Sequence, residues 1–155
     1  MRHAPRAVDQ PSWNLRPARL ADRDFLYALN EATMREYVEL VWGWDDQAQA
    51  TFFDNRFQPD RWQVIQVGGQ DIGVFIVEEG DDEIFLAGIE ILPDWQGRGI
   101  GSAIVRSLMD SAATAGKPVT LRVLHVNERA CALYERLGFR PFKQIETHTY
   151  LRWEG

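Results

Sequence analysis

The chain has 155 residues, 45% hydrophobic and 26% charged, and its 17 Lys plus Arg against 23 Asp plus Glu give a net charge of -6. That length fits one domain burying roughly two thirds of its unfolded surface, and the content of Trp and Phe excludes a disordered chain. The acidic balance argues against nucleic acid, no apolar run approaches the ~20 residues of a membrane span, and one cysteine with three dispersed His residues leaves neither a disulfide nor a metal-ligand spacing.

Residues 1–12 hold two prolines and little periodicity and read as a mobile tail, so the domain is expected over 13–155. The start carries positive charge without an apolar centre, unlike a secretory signal, and the expected location is cytoplasmic. A short strand is expected at Trp13 to Arg16. Ala21-Asp22 then opens a helix in which Phe25, Leu26, Leu29 and Ala32 recur at helical spacing to about Tyr37. Trp42-Gly43-Trp44-Asp45-Asp46 interrupts the pattern, with Asp45 or Asp46 capping a second helix that ends before Pro59.

From Trp62 the period changes to that of strands: Trp62 to Val67, then Ile72 to Glu78 after a Gly68-Gly69 turn, then Ile84 to Leu92 stopped by Pro93. Ile104, Val105, Leu108, Met109 and Ala112 form the stripe of a helix closed by Gly116 and Pro118. Val119 to Leu124 is the next strand. The order strand, helix, strand implies a right-handed crossover, so those two strands run parallel and the sheet is mixed. Asn127 caps a helix carrying Ala130, Leu133, Tyr134 and Leu137, Gly138 stops it, and strands from Phe139 and around Glu146 to Trp153 complete an α+β domain.

Gly97, Gly99 and Gly101 stand where the apolar strand gives way to the Ile104 helix. A helix start offers unpaired N–H groups and partial positive charge, and glycine lets an anion reach that backbone. Arg98 adds a cation, so a pyrophosphate is the natural ligand. Gly101 is followed by Ser102-Ala103 rather than the Lys-Ser or Lys-Thr of a P-loop, and G-x-G-x-x-G is met from neither Gly97 nor Gly99.

Gln96-Gly97-Arg98-Gly99-Ile100-Gly101 resembles the acetyl-CoA signature of the GNAT acetyltransferase superfamily, and the segment Asn127 to Phe139 resembles its second motif through Asn127, the pair Leu133-Tyr134 and Leu137-Gly138-Phe139. The resemblance implies a mixed, mostly antiparallel sheet whose fourth and fifth strands splay apart, flanked by about four helices. It implies acetyl-CoA as cosubstrate, without a metal. Its pantetheine arm would run beside the backbone of Ile89, Ile91 and Leu92 as a pseudo-strand. Its pyrophosphate would meet the N–H groups from Gly97 through Gly99, Ile100 and Gly101 to Ser102, beside Gln96 and Arg98. Asn127 would pair with the pantetheine amide, and Tyr134 would stand at the sulfur.

Amine acetylation needs a neutral nitrogen, a stabilised oxyanion and a proton for the departing thiolate. Glu90, a carboxylate among Ile89, Ile91 and Leu92, is the local base; a water chain is the alternative, because relatives carry acids earlier on this strand or on the fifth, where this chain has Phe85 to Gly88 and Arg122. Strict alternation places Glu90 with Leu86 and Gly88, unless a bulge near Gly88 intervenes. Tyr134 is the general acid.

The acceptor side implied by the resemblance contains Tyr37, Glu39, Trp42 and Trp44, with His125 lining the slot. Aromatic faces and carboxylates suit a small cationic or amphipathic primary amine. The alternatives are acetylation of a protein Lys or N-terminus, and a non-catalytic acyl-CoA binding module. An exposed final strand could support a homodimer.

Overall fold

The computed structural model describes residues 12–155, so the expected mobile tail lies, except for Ser12, outside the described residues. Seven strands are present: β1 (Asn14–Pro17), β2 (Trp62–Val67), β3 (Gln70–Glu79), β4 (Ile84–Ile91), β5 (Val119–Leu124), β6 (Arg140–Gln144) and β7 (His148–Trp153). They form one sheet in the order β1-β2-β3-β4-β5-β7-β6. All neighbours are antiparallel except β4 and β5. The helices are α1 (Arg23–Val41), α2 (Asp46–Arg56), α3 (Ile100–Ala115) and α4 (Glu128–Leu137). None is long and apolar enough to cross a membrane.

Local chemistry sets the helix ends. Asp45 accepts hydrogen bonds from the N–H groups of Gln47 and Ala48 and so caps α2. Asn127 accepts from the Ala130 N–H and caps α4 in the same way. Gly116 and Gly138 close α3 and α4 in the left-handed conformation. Helix α1 outruns its expected end at Tyr37 by a turn, buries Leu26, Leu29 and Val38, and leaves Ala32 exposed.

The sheet has a core on each face. On one, α3 and α4 bury Ile104, Val105, Met109, Ala112 and Tyr134 against Leu86, Val119, Leu121, Val123 and Leu151. On the other, Leu26, Leu29 and Phe53 of α1 and α2 pack on Trp62, Val64, Val74 and Ile76.

Two irregularities shape β4. It pairs with β5 only from Ile84↔Val119 to Leu86↔Leu121; beyond that level β4 stays with β3 and β5 stays with β7. The two strands therefore part, and a slot opens along β4 above Leu86. Second, Ile76 pairs with Gly88 and Val77 with Leu86, so Ala87 is an extra residue and the strand bulges. Below the bulge, Ile84 and Leu86 face α3; above it, Ile89 and Ile91 do, while Ala87 and Leu92 pack on the α1 side. Strict alternation with Leu86 thus fails at Glu90: the bulge turns Glu90 to the α1 face.

The last strand is not the edge. β7 lies between β5 and β6, and the free edge on that side belongs to β6, every residue of which is exposed.

Candidate active site

Above the bulge the backbone groups of β4 point alternately to β3 and to the open slot. The Leu92 N–H donates to the Ile72 carbonyl of the β3 side at 2.8 Å, so the N–H and C=O groups of Ile89 and Ile91 point to the open slot. Gln96 Nε2 donates to the Ile91 carbonyl at 2.8 Å, and Arg129 at the start of α4 reaches Gln96 Oε1 at 3.5 Å. Gln96 thus ties the top of β4 toward α4. Arg129 carried no signal in the sequence, because its link to Gln96 spans residues far apart along the chain.

The chain then enters α3 through two left-handed glycines, Gly97 at φ 76° and Gly99 at φ 82°. A Cβ at Gly97 meets nothing within 4 Å, so an incoming group can approach the backbone there. Gly101 faces Ile91, whose Cδ1 lies 3.4 Å from an ideal Cβ, so this turn of α3 packs closely on the strand. The first intrahelical bond runs from the Ala103 N–H to Gly99. The amides of Ile100, Gly101 and Ser102 precede it and are the ones a helix start leaves for an anion. Arg98 is exposed, with its guanidinium 4.7 Å from the Trp95 ring centroid.

Tyr134 is buried, its ring edge-on to Phe139 at 5.6 Å. Burial pushes its phenol up to about 12, and its hydroxyl has no hydrogen-bond partner among the described residues. An orphaned hydroxyl in such a place is costly unless a ligand completes it. Asn127 spends its Oδ1 on the helix cap at 3.1 Å. Burial first, then Glu135 and Glu128, push the Cys131 thiol up, opposite to the need of a nucleophile.

Glu90 is partly buried under α1. Asn30 Nδ2 donates to Glu90 Oε2 at 3.1 Å. Burial pushes the Glu90 carboxyl up, while the hydrogen bond from Asn30, the charge of Arg56 and a hydrogen bond from Thr33 pull it back. Asn30, Thr33 and Tyr37 recur at helical spacing on one face of α1, which brings Tyr37 to the same side as Glu90. Asn30 and Thr33 were invisible as site residues, since polar side chains inside a helical run give no sign of their target.

The other acceptor-side residues separate into two groups. Glu39 pairs with Arg35 at 3.1 Å, on a stripe with Glu31 turned away from Asn30. Arg35 also lies 5.3 Å from the Trp44 ring, and Trp44 donates to Asp46 at 2.7 Å. These groups serve one another on the outside of the α1–α2 corner. Trp42 turns the other way: its ring is 6.4 Å from that of His148 at the start of β7. His148 Nδ1 sits 2.7 Å from Thr147 Oγ1. Burial first, then the charges of Arg122 and His125, lowers the His148 pKa. His125 is thereby placed beside His148 at the splayed end, and its N–H donates to the Thr147 carbonyl at 3.0 Å.

A family model described as the acetyltransferase (GNAT) family matches residues 24–139. Over 73 residues, 46% of this chain, the sequence is 36% identical to thialysine N-epsilon-acetyltransferase of Bos taurus, covering 43% of that protein. Over 95 residues it is 35% identical to [ribosomal protein bS18]-alanine N-acetyltransferase of Salmonella typhimurium, covering 63% of it. The match thus spans less than two thirds of either relative. The fold is similar to that of PaiA N-acetyltransferase from Thermoplasma acidophilum in complex with coenzyme A, at TM-score 0.76 and 11% identity over 93% of this chain and 99% of that one.

Proposed function

Because the chain belongs to the acetyltransferase (GNAT) family, we propose that residues 13–155 form a catalytic unit that transfers the acetyl group of acetyl-CoA to a primary amine. The observation that carries this reading is the open edge of β4: beyond its pairing with β5 the backbone of Ile89 and Ile91 faces the slot, with the Ile91 carbonyl held by Gln96, and leads to the amides at the start of α3. Such an edge accepts an extended amide-bearing chain as an added strand, and the helix start accepts its phosphates. The coenzyme A bound to the Thermoplasma acidophilum protein of the same fold supports the assignment.

In this reading Ile89, Ile91 and Leu92 line the pantetheine path, with Gln96 beside it. Gly97, Arg98, Gly99, Ile100, Gly101 and Ser102 hold the pyrophosphate, and Asn127 offers the amide nitrogen its cap leaves over. The cosubstrate supplies an activated acetyl group. Glu90 takes the proton of the acceptor ammonium; its raised pKa brings it nearer to that of the group it must deprotonate. Tyr134 stands opposite as the donor to the departing sulfur. With its phenol at about 12 and a thiol at ~8.5, Tyr134 keeps its own proton and steadies the departing thiolate by hydrogen bonding.

The acceptor approaches over the α1 side of β4, past Tyr37, Trp42 and His125. The names of the relatives include one small-molecule amine and one protein alanine. Glu39, Asp45 and Asp46 are engaged by Arg35, the α2 cap and Trp44, so the case for a small cationic or amphipathic amine rests on the aromatic rings of Tyr37 and Trp42. Calorimetry with acetyl-CoA, followed by thiol release with amine and peptide panels, tests the reading; absence of saturable acetyl-CoA binding overturns it.

A further inference from the structure

Three cations stand on the bare half of the sheet. The side chains of Val119, Leu121, Val123 and Leu151 point into the α3–α4 core, so Thr120, Arg122, Leu124, His148, Tyr150 and Arg152 point to the face of α1, α2 and Glu90. Register carries the pattern to the edge: Arg122 pairs with Tyr150 and Tyr150 with Lys143, while Arg152 pairs with Arg140. Arg122, Arg140 and Lys143 are exposed, and none has an ion pair among the described residues. Arg140 reaches only the Phe139 carbonyl at 3.4 Å, and Lys143 lies 5.2 Å over the Tyr150 ring. Arg152 is matched by Glu154 at 2.6 Å. Phe142, at 54% exposure, adds an apolar ring 6.1 Å from Tyr150.

On a chain of net charge -6, a row of unmatched cations is a segregated charge with a direction. Arg122 stands at the first level where β5 has left β4, and the row continues outward across β7 to β6. From these placements we infer that the acceptor is a peptide with acidic side chains near its reactive amine, lying extended across β5, β7 and β6 with its carboxylates on Arg122 and Lys143. The inference rests on the acetyl-transfer reading above. Strands β5 and β6 are two spacings apart, about 10 Å, a span that about three extended residues match. Tyr150 and Phe142 provide the flat surface between the charges. A phosphate polymer runs beyond this row onto the acidic remainder of the surface, which repels it, whereas a short peptide stays on the row.

Two readouts keep this inference apart from the chemistry it rests on. Fluorescein-labelled hexapeptides with acidic, neutral or basic residues after a free N-terminus are titrated by anisotropy in the presence of coenzyme A, and the same unlabelled peptides are scored for thiol release. The acidic peptide binds about tenfold more tightly than the neutral one, the advantage shrinks as salt rises, and Arg122→Glu with Lys143→Glu abolishes or reverses it. Equal binding of all three peptides, an unaltered order in the double variant, or equal retention of a single-stranded oligonucleotide overturns the inference. Charge-ordered binding without thiol release supports the docking surface and counts against Glu90 and Tyr134 as the reacting groups.

Discussion

Asn30 on α1 donates its side-chain amide to Glu90 on β4 at 3.1 Å, linking that helix to a carboxylate beside the parting of β4 and β5. Removing the donor takes away an interaction that favours the charged carboxylate, so Asn30→Ala moves the acid limb of the kcat/KM profile to higher pH. An unmoved limb in that variant disproves a role for Glu90 as base.

The same carboxylate makes stability depend on pH. Its pKa is raised in the folded state, so its contribution is fully present below the unfolded pKa and is lost as pH rises through the folded one. Glu90→Gln is therefore expected to gain on the parent in thermal melts as pH climbs from acid to mildly alkaline. Its turnover falls by about 10²–10⁴. A constant difference between the two melting curves across that range contradicts the assignment.

Tyr134→Phe deletes a buried hydroxyl that has no partner among the described residues. The expected result is unchanged or slightly higher stability, since no protein hydrogen bond is lost, together with a kcat drop of about 10²-fold or more. With the phenol at about 12, Tyr134 produces no alkaline limb below that pH. Retained kcat in the variant assigns Tyr134 to the core alone.

Gly99 sits at φ 82° as the N-cap of α3. Gly99→Ala places a Cβ in a left-handed conformation at a cost of about 1–2 kcal/mol. It is expected to weaken coenzyme A binding measured by calorimetry more than it lowers the melting temperature. A loss of stability with intact binding separates the turn from the ligand.

Arg122 lowers the pKa of His148 by like charge, after burial. Arg122→Gln should raise it, as read from the imidazole resonances through a pH titration. The His148 pKa is lowered in the fold, so its contribution is present above the unfolded pKa and fades as pH falls through the folded one; in Arg122→Gln that fading is smaller. No displacement of the His148 titration in the variant places Arg122 away from the mouth of the slot.

The parts legible in the sequence are those carried by local chemistry. Trp62–Val67 and Val119–Leu124 fall on the expected residues, Asp45 and Asn127 cap as their types suggest, and Gly116 and Gly138 stop their helices. The parting of β4 from β5 entered through resemblance and stands in the pairing of the strands. What could not be read depends on partners distant along the chain. Glu39 resembles a substrate carboxylate until Arg35 is seen to claim it. The interior place of β7 follows from β6 folding outside it, a choice of topology that the alternation of neither strand encodes.

Ala87 has a consequence for comparing this chain with its relatives. Counting residues back from Gln96 and counting forward from Ile84 disagree by one about which chamber a side chain serves, because the extra residue inverts parity within a single strand. Excising Ala87 would send the Glu90 carboxylate in among the aliphatic side chains of α3 and turn Ile89 and Ile91 to the α1 side. Against a strand without that insertion, an ungapped alignment through β4 matches letters whose side chains lie on opposite sides of the sheet.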